Sequence, residues 1–285
     1  MKIINFPAAK HSAGKCPASK EFLRCELTEN LYLGQEIYKL SFSWQGPCPQ
    51  AGQFFMIRPE RTGVFLPRPI SAATWNPSKK IIQFLIAVRG PGTADISRMR
   101  AGEYAELTGP LGNTWTDYLP KIPDYDKPVA LIGGGIGVAP LQELINLLPE
   151  YSFNFYAGFK TGFVNDDMRI GILGPAAHIK PHRSGKTGNL IIATEDGTEG
   201  DKGYITDFLE PKKYAAVCVC GPEPMLKAAA QKCRSARIRC IVSMERNMAC
   251  GLGACLGCAV KTINGNRRCC ADGPVFPAKE LCFDE

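Results

Sequence analysis

The residues best suited to chemistry are cysteines crowded near the carboxyl end of the 285-residue chain. Six of the thirteen cysteines fall within residues 250–285. Cys250, Cys255 and Cys258 follow the spacing C-x4-C-x2-C, which is typical of the plant-type [2Fe–2S] site. The glycines between them let the backbone approach a cluster closely and point its amides at the sulfurs. We therefore expect an iron–sulfur cluster in this segment.

A zinc site is the alternative for the same cysteines, because four thiolates also suit zinc. Zinc sites usually carry two short CxxC-like pairs, and the glycine content of this loop exceeds what zinc requires. The pattern therefore favours [2Fe–2S]. The fourth ligand is either Cys269 or Cys270, because the spacing by itself leaves both open.

Three motifs earlier in the chain suit a flavin. Arg68-Pro69-Ile70-Ser71 stands at the start of an expected strand, where a guanidinium fork suits a pyrophosphate and a nearby hydroxyl can reach a flavin ring nitrogen. Gly90-Pro91-Gly92-Thr93 and then Gly109-Pro110-Leu111-Gly112-Asn113 follow, with glycine amides that can cradle phosphates. Each motif is weak alone, but their order indicates a flavin-binding barrel.

A glycine-rich turn suits a dinucleotide. Gly134, Gly135 and Gly137 lie between the buried-type strand VALIG and a helical stretch, whose amino terminus favours phosphates. The strict GxGxxG pattern is not met, and no acidic residue ends the next strand, which finishes as Gly158-Phe159-Lys160. Cys220-Gly221-Pro222 follows a later strand, at the carboxyl edge where nucleotides bind. A merely structural strand–helix turn is the alternative.

Three segments must position these motifs. Residues 21–123 contain short apolar runs between glycine and proline turns, which is typical of an antiparallel β-barrel. Residues 124–236 alternate strand and helix patterns, which indicates a doubly wound parallel sheet. Residues 237–285 are too few for a stable core without a cluster as a staple, and residues 1–20 form a polar tail of unknown role. The expected fold class is multi-domain β and α/β.

The overall composition is that of an ordinary globular protein, with 45% hydrophobic and 21% charged residues and a modest net charge of +7. No apolar run reaches the ~18 residues of a transmembrane helix, and no signal-peptide core is present. We therefore expect a soluble, cytoplasmic protein with no membrane contact. No motif of nucleic-acid binding is found. The three histidines lie in unpatterned segments, so no catalytic histidine is assigned.

The order of the motifs resembles the electron-transfer subunits of the type B dihydroorotate dehydrogenases, within the ferredoxin-reductase fold group. The resemblance covers most of the chain and rests on RPIS, GPGT, GPLGN, GGGIGVAPL, CGPEPM and MACGLGACLGC with CADGPVF. It implies bound FAD and one [2Fe–2S] cluster, with NAD(H) as the electron donor. It also implies a hetero-oligomer, in which an FMN-containing partner oxidises dihydroorotate to orotate in pyrimidine biosynthesis.

The resemblance also implies roles for individual residues. The cofactor-binding positions of the flavin site would be Arg68, Pro69, Ile70, Ser71, Leu85, Ile86, Ala87, Gly92 and Thr93. The cluster ligands would be Cys250, Cys255, Cys258 and Cys270. Cys270 is chosen over Cys269 because the last ligand of the family stands two residues before the sequence Asp-Gly-Pro-Val-Phe, which here begins at Asp272.

Two other functions stay open at this stage. Subunits of anaerobic sulfite reductases and sulfhydrogenases share the barrel, the nucleotide domain and a similar cysteine loop. They often carry a histidine between the second and third cysteines, where this chain has Leu256-Gly257. A zinc-stabilised binding protein without enzymatic activity is the alternative of another class, and bound flavin in a brown protein would exclude it.

Overall fold

The computed structural model of this protein describes residues 20–119, 127–148, 153–179 and 188–283. The amino-terminal tail expected at residues 1–20 lies outside the described residues, apart from Lys20.

The first body is a closed barrel of six antiparallel strands in the order β1-β2-β5-β4-β3-β6. Side chains of a strand point alternately to its two faces. Along β3, Phe55 and Ile57 pack inside the barrel with Phe84, whereas Phe54 and Met56 pack outward against the rest of the molecule. The elements are β1 (Glu21–Gly34), β2 (Ile37–Ser43), β3 (Phe54–Pro59), β4 (Arg68–Asn76), β5 (Ile81–Ala87), α1 (Pro91–Ser97) and β6 (Tyr104–Leu111).

Aromatic side chains fill the barrel interior. The ring of Phe55 lies edge-on to Trp44 and Phe84, with centroids 4.9 and 5.5 Å apart. Such pairs contribute about 1 kcal/mol each beyond the area that they bury. The predicted barrel is confirmed.

The second body is a parallel sheet covered by helices on both faces. Its strands run in the order β10-β9-β8-β7-β11-β12, all parallel. Every residue of β7 and β11 is buried, as expected for central strands between two helical layers. The elements are β7 (Val129–Gly134), α2 (Ala139–Leu147), β8 (Phe153–Phe159), α3 (Asp166–Leu173), β9 (Asn189–Thr194), β10 (Asp201–Lys202), β11 (Ala216–Cys220), α4 (Glu223–Ala236) and β12 (Arg239–Ser243).

Helix α2 joins the sheet to the barrel. Its apolar residues Leu141 and Leu144 pack on the sheet. Its other side meets β4, where the Glu143 carboxylate accepts a hydrogen bond from the backbone N–H of Trp75 at 3.1 Å. The indole of Trp115, from the loop after β6, donates to the carbonyl of Pro140 at 3.0 Å. The two bodies are therefore tied together at the first turns of α2.

The cysteine-rich segment completes the sheet. It contains the hairpin β13 (Ala259–Thr262) and β14 (Gly265–Arg268), the short helix α5 (Cys269–Asp272) and β15 (Val275–Pro277). Strand β15 pairs antiparallel with the outer edge of β12. Strand β12 itself belongs to the parallel sheet, which therefore extends beyond the division expected at residue 236.

Short 3-10 turns connect several elements, at Trp115–Asp117, Gly135–Val138, Gly174–His178, Ile205–Phe208, Pro211–Lys213 and Ala278–Glu280. Among the helices in the described ranges, none has the length and apolar character that crossing a membrane requires.

Candidate functional site

The glycine turn and the Cys-Gly-Pro motif meet at the carboxyl edge of the sheet. A methyl group added at Gly137 would lie 2.4 Å from the carbonyl oxygen of Cys220, and one at Gly134 would lie 3.0 Å from Cδ of Pro222. Only glycine allows the two backbones to come this close. Gly135 adopts a left-handed φ of +55°, and no atom lies within 4 Å of the direction in which a side chain would point. The turn is therefore packed on one side and open on the other, as a dinucleotide site requires.

Cys220 and Gly221 take different parts in this edge. The side chain of Cys220 is buried, and burial raises the pKa of its thiol far above the usual range. The thiol is therefore neutral and is no nucleophile. Gly221 packs closely on Gly134, because a methyl group added at Gly221 would lie 3.1 Å from Cα of Gly134. These residues shape the edge rather than supply a reactive group.

One arginine brings together the first two flavin motifs, RPIS and GPGT. A methyl group added at Gly92 would lie 2.1 Å from Nε of Arg68, so the guanidinium rests directly on the glycine backbone. Nη1 of Arg68 donates to the carbonyl of Leu66 at 2.7 Å. The Thr93 hydroxyl accepts hydrogen bonds from the backbone N–H groups of Arg89 and Gly90 at 2.8 and 3.2 Å, which fixes the turn before α1.

The remaining predicted flavin residues differ in exposure. In β4, Pro69 lies opposite Met56 and Ser71 lies opposite Phe54, so both face outward from the barrel. Ile70 packs against the barrel core. In β5, the side chains of Leu85 and Ile86 are buried and Ala87 is half-buried. Leu85 and Ile86 can therefore offer a ligand only their backbone groups.

The cysteine loop directs backbone amides at sulfur. The N–H of Leu252 donates to Sγ of Cys250 at 3.3 Å. Hydrogen bonds from the backbone of Cys255 and then of Leu252 lower the pKa of Cys250 to about 6. Gly251 and Gly253 reach this geometry with left-handed φ values of +67° and +83°. The loop stabilises thiolate charge, as an iron–sulfur site requires.

The two candidate fourth ligands point in different directions. The backbone N–H of Cys270 donates to Sγ of Cys258 at 3.4 Å. The thiol of Cys269 instead donates to the carbonyl of Met244 at 3.2 Å, on the side of the sheet. This geometry favours Cys270.

Within this segment, the backbone of Cys255 lies near the sulfur of Cys250, and the backbone of Cys270 lies near the sulfur of Cys258. A [2Fe–2S] cluster has two irons, and each takes two protein ligands. Two pairs of cysteines suit that arrangement.

The cysteine loop lies on the outward face of the barrel, close to the flavin strand. A methyl group added at Gly251 would lie 2.5 Å from Cγ of Met56 and 3.3 Å from Cδ1 of Leu111. Met56 lies in β3 and is the cross-strand partner of Pro69 in β4. The cysteine loop therefore contacts the strand next to the RPIS motif. Sequence reasoning missed Met56, since a methionine in a strand signals only packing.

The GPLGN motif receives the cysteine segment, a role that its sequence did not suggest. The side-chain amide of Asn113 donates to the carbonyls of Val275 and Asp272 at 2.8 and 3.1 Å and accepts from the N–H of Val275 at 2.9 Å. A methyl group added at Gly112 would lie 2.7 Å from the carbonyl oxygen of Gly273. The motif was expected to cradle phosphates, but its asparagine is engaged with the segment that carries the cluster ligands.

A cleft of about 450 Å³ opens between the cysteine loop and the barrel. Leu252 forms part of its wall, beside Cys250 and Phe22. Leu252 and Leu256 expose 50% and 65% of their surface. The loop therefore presents an apolar surface next to the cysteines.

Comparison with protein families gives a match at the carboxyl end. The family model described as the iron–sulfur cluster binding domain of dihydroorotate dehydrogenase B matches residues 245–282. This match begins just after β12.

Curated relatives match nearly the whole chain. The electron transfer subunit of dihydroorotate dehydrogenase B (NAD(+)) from Clostridium acetobutylicum is 37% identical over 257 residues, covering 90% of this chain and 96% of the relative. The subunit of the same name from Caldanaerobacter subterraneus is 35% identical over 267 residues, covering 92% and 98%.

Solved structures share the fold. The structure of an NADH-dependent reduced ferredoxin-NADP oxidoreductase superposes with a TM-score of 0.72 at 23% identity, covering 91% of this chain and 90% of the other. A ferredoxin NADP+ reductase from Neisseria gonorrhoeae, with bound FAD and NADP, gives 0.58 at 15% identity, covering 80% and 95%. These likenesses confirm the predicted reductase-type architecture.

Proposed function

Since the chain belongs to the family of dihydroorotate dehydrogenase B electron transfer subunits, we propose that it carries electrons from NADH to a dehydrogenase partner. It is an oxidoreductase subunit that uses FAD and a [2Fe–2S] cluster and works in a hetero-oligomer. The partner contains FMN and forms orotate from dihydroorotate in pyrimidine biosynthesis. The relatives favour this partner over a sulfite reductase or a sulfhydrogenase.

The observation that carries the proposal is the contact between Gly251 and Met56. It joins the cysteine loop to the strand beside the flavin motif, on one face of the barrel. Bound FAD and a [2Fe–2S] cluster supply the conversion of a two-electron hydride into single electrons. The Gly251–Met56 contact would hold the two groups close together, and the exposed apolar residues Leu252 and Leu256 would meet the partner.

Particular residues would hold each group. Arg68 would pair with the flavin pyrophosphate through its guanidinium, with the backbone of Gly92 and Thr93 beside it. The outward-facing Ser71 would reach the flavin ring. The open side of the turn at Gly135 would receive the dinucleotide phosphates. The cluster ligands would be Cys250, Cys255, Cys258 and Cys270, with Cys269 left as a structural thiol.

A cytoplasmic location is part of the proposal. Apart from Cys48, the eleven cysteines in the described ranges are free thiols. Such a number of unpaired cysteines is typical of a reducing compartment, where disulfides are rare.

The test compares Cys270→Ser with Cys269→Ser in the complex with the partner. Cys270→Ser should bleach the visible absorbance of the cluster and abolish transfer from NADH to the partner. Reduction of a dye through FAD should continue, because the flavin residues are untouched. Cys269→Ser should preserve the cluster and both activities. A deletion of residues 237–285 is less suitable, because it would also remove β12 and β15 from the sheet.

Two further variants guard against a folding artefact, since Cys270 is buried. Cys255→Ser changes an exposed ligand and should reproduce the loss of partner reduction, whereas the exposed Cys282→Ser should not. Partner reduction that survives in both Cys270→Ser and Cys255→Ser would refute the relay and leave the cysteine loop a structural role.

A further inference from the structure

The ends of β8 and β9 bring an acidic residue to a place where the sequence offered none. Phe159 and Thr194 are partners at the last position of these two strands. The pairing continues beyond them, because the N–H of Glu195 donates to the carbonyl of Phe159 at 3.0 Å and that of Asp196 donates to the carbonyl of Lys160 at 3.3 Å. Asp196 therefore lies beside Lys160, at the carboxyl end of β8.

The carboxylate of Asp196 is oriented and charged. Its Oδ1 accepts hydrogen bonds from the backbone N–H and the hydroxyl of Thr198, at 3.0 and 2.6 Å. The same Thr198 hydroxyl accepts from the N–H of Gly162 at 2.7 Å, which ties Asp196 to the loop after β8. Hydrogen bonds from Thr198 and then Thr161 lower the pKa of Asp196 to about 2. The group is an anion at every physiological pH, and its side chain is exposed.

The sheet topology indicates which part of a bound dinucleotide would lie near the Asp196 carboxylate. The glycine turn follows β7, and β8 is the neighbour of β7 in the sheet. In dinucleotide-binding sheets of this kind, the pyrophosphate sits on the first turn and the adenosine ribose lies at the end of the next strand, where an acidic residue binds its 2′-hydroxyl. Here Lys160 follows that strand, and the acid follows the adjacent strand β9 instead.

We propose that Asp196 determines the choice of nicotinamide cofactor, by accepting a hydrogen bond from the ribose 2′-hydroxyl of NADH and repelling the 2′-phosphate of NADPH. This inference rests on the proposed function and deepens it at the nucleotide edge.

The size of the change in cofactor preference depends on the neighbouring Lys160 and on the charge of the 2′-phosphate. Lys160 is exposed beside Asp196 and would attract a 2′-phosphate. A phosphate monoester carries nearly two negative charges, and each of them repels the carboxylate across a solvated site. Removal of the carboxylate charge should therefore change the preference between the two cofactors by about tenfold.

The experiment compares Asp196→Asn with Glu195→Gln in the FAD- and cluster-containing protein. Asparagine keeps the oxygen that accepts from Thr198 but loses the charge, and Glu195 is an exposed acid on the same loop. Dye reduction gives kcat and KM for NADH and NADPH. Calorimetric titration with 5′-AMP and with 2′,5′-ADP measures recognition of the 2′-phosphate without electron transfer.

Asp196→Asn should raise the ratio of kcat/KM for NADPH over NADH by about tenfold, through KM, and should tighten 2′,5′-ADP binding by a similar factor. Glu195→Gln should change neither by more than about twofold. An unchanged ratio in a normally folded Asp196→Asn protein, or an equal shift in Glu195→Gln, would overturn the inference while NADH oxidation continues. A wild-type protein that reduces no dye from NADH would overturn the proposed function as well.

Discussion

Two polar side chains join the barrel to its neighbours, and they differ in whether they can ionise. At the junction with the cysteine segment, the neutral amide of Asn113 donates to two carbonyls and accepts from one N–H. At the junction with α2, the carboxylate of Glu143 accepts from the N–H of Trp75 and, at 3.5 Å, from Asn146. Burial raises the pKa of Glu143 to about 7.

The two junctions therefore respond differently to pH. The Asn113 junction satisfies its donors and acceptors without charge, so it should hold the cluster segment equally well across the physiological pH range. The Glu143 junction places a group that ionises near neutral pH between the flavin and nucleotide bodies. The Asn113 contact is therefore insensitive to pH, whereas the Glu143 contact between the two larger bodies is not.

The largest expected effect comes from Asn113→Asp, which converts the first junction into a charged one. The carboxylate would face the carbonyls of Asp272 and Val275 and could no longer donate to them. We expect a loss of about 2–4 kcal/mol in stability at pH 8, with early release of the cluster on heating. The loss should lessen as the pH falls and the new carboxyl becomes protonated. Thermal melts followed by cluster absorbance provide the measurement, and Asn266→Asp, at an exposed position of β14, is the control. Equal melts for the two variants would contradict a role for Asn113 in docking.

A smaller effect is expected for Glu143→Gln, and it should depend on pH. The pKa of Glu143 rises from 4.5 to about 7 on folding, so the folded state binds the proton more tightly. Stability from this group is present below pH 4.5 and is lost as the pH rises through 7. Glutamine can still accept from Trp75 but cannot ionise. The variant should therefore match the wild type near pH 4.5 and exceed it by about 1–3 kcal/mol at pH 8.

Chemical denaturation at the two pH values measures this difference, with exposed Glu26→Gln as the matched control. A variant that is no more stable than the wild type at pH 8 would mean that the Glu143 junction is not strained by ionisation.

The smallest effect is expected at a third contact, an ion pair on the surface. Nη1 of Arg246, which precedes the cysteine loop, lies 2.9 Å from the carboxylate of Glu223 at the start of α4. Because both side chains are partly exposed, Arg246→Ala should cost less than about 1 kcal/mol, and the loss should shrink further in 0.5 M salt. A larger loss of stability that shrinks strongly in salt would show that charge, and not the amide of Asn113, holds the segment in place.

Local patterns predicted the elements that carry the site more reliably than the contacts between them. The alternating strands of the barrel, the buried strand VALIG and the cysteine spacing are all signals within a few residues. Strand β15 spans only Val275–Pro277, too short for a recognisable pattern, and its partner β12 lies more than thirty residues earlier. The division expected at residue 236 separated these two strands from the sheet for that reason.

The polar contacts of Asn113 and Asp196 could not be predicted from the sequence for a related reason. Asn113 follows a glycine and would ordinarily indicate a turn, and its partner Val275 lies 162 residues away. Asp196 follows the third strand of the sheet rather than the second, so a search for an acid at the end of β8 does not find it. In both cases the pairing depends on strand order, which residue spacing does not encode.

The antiparallel strand β15 also has a consequence for synthesis of the chain. Until residues 275–277 emerge from the ribosome, the outer edge of β12 has no strand beside it, and unpaired strand edges are templates for aggregation. The same short segment that follows the last cysteine pair therefore caps the sheet. A chain truncated before residue 275, or one whose cysteine segment fails to dock, leaves the edge of β12 open to pairing with another chain.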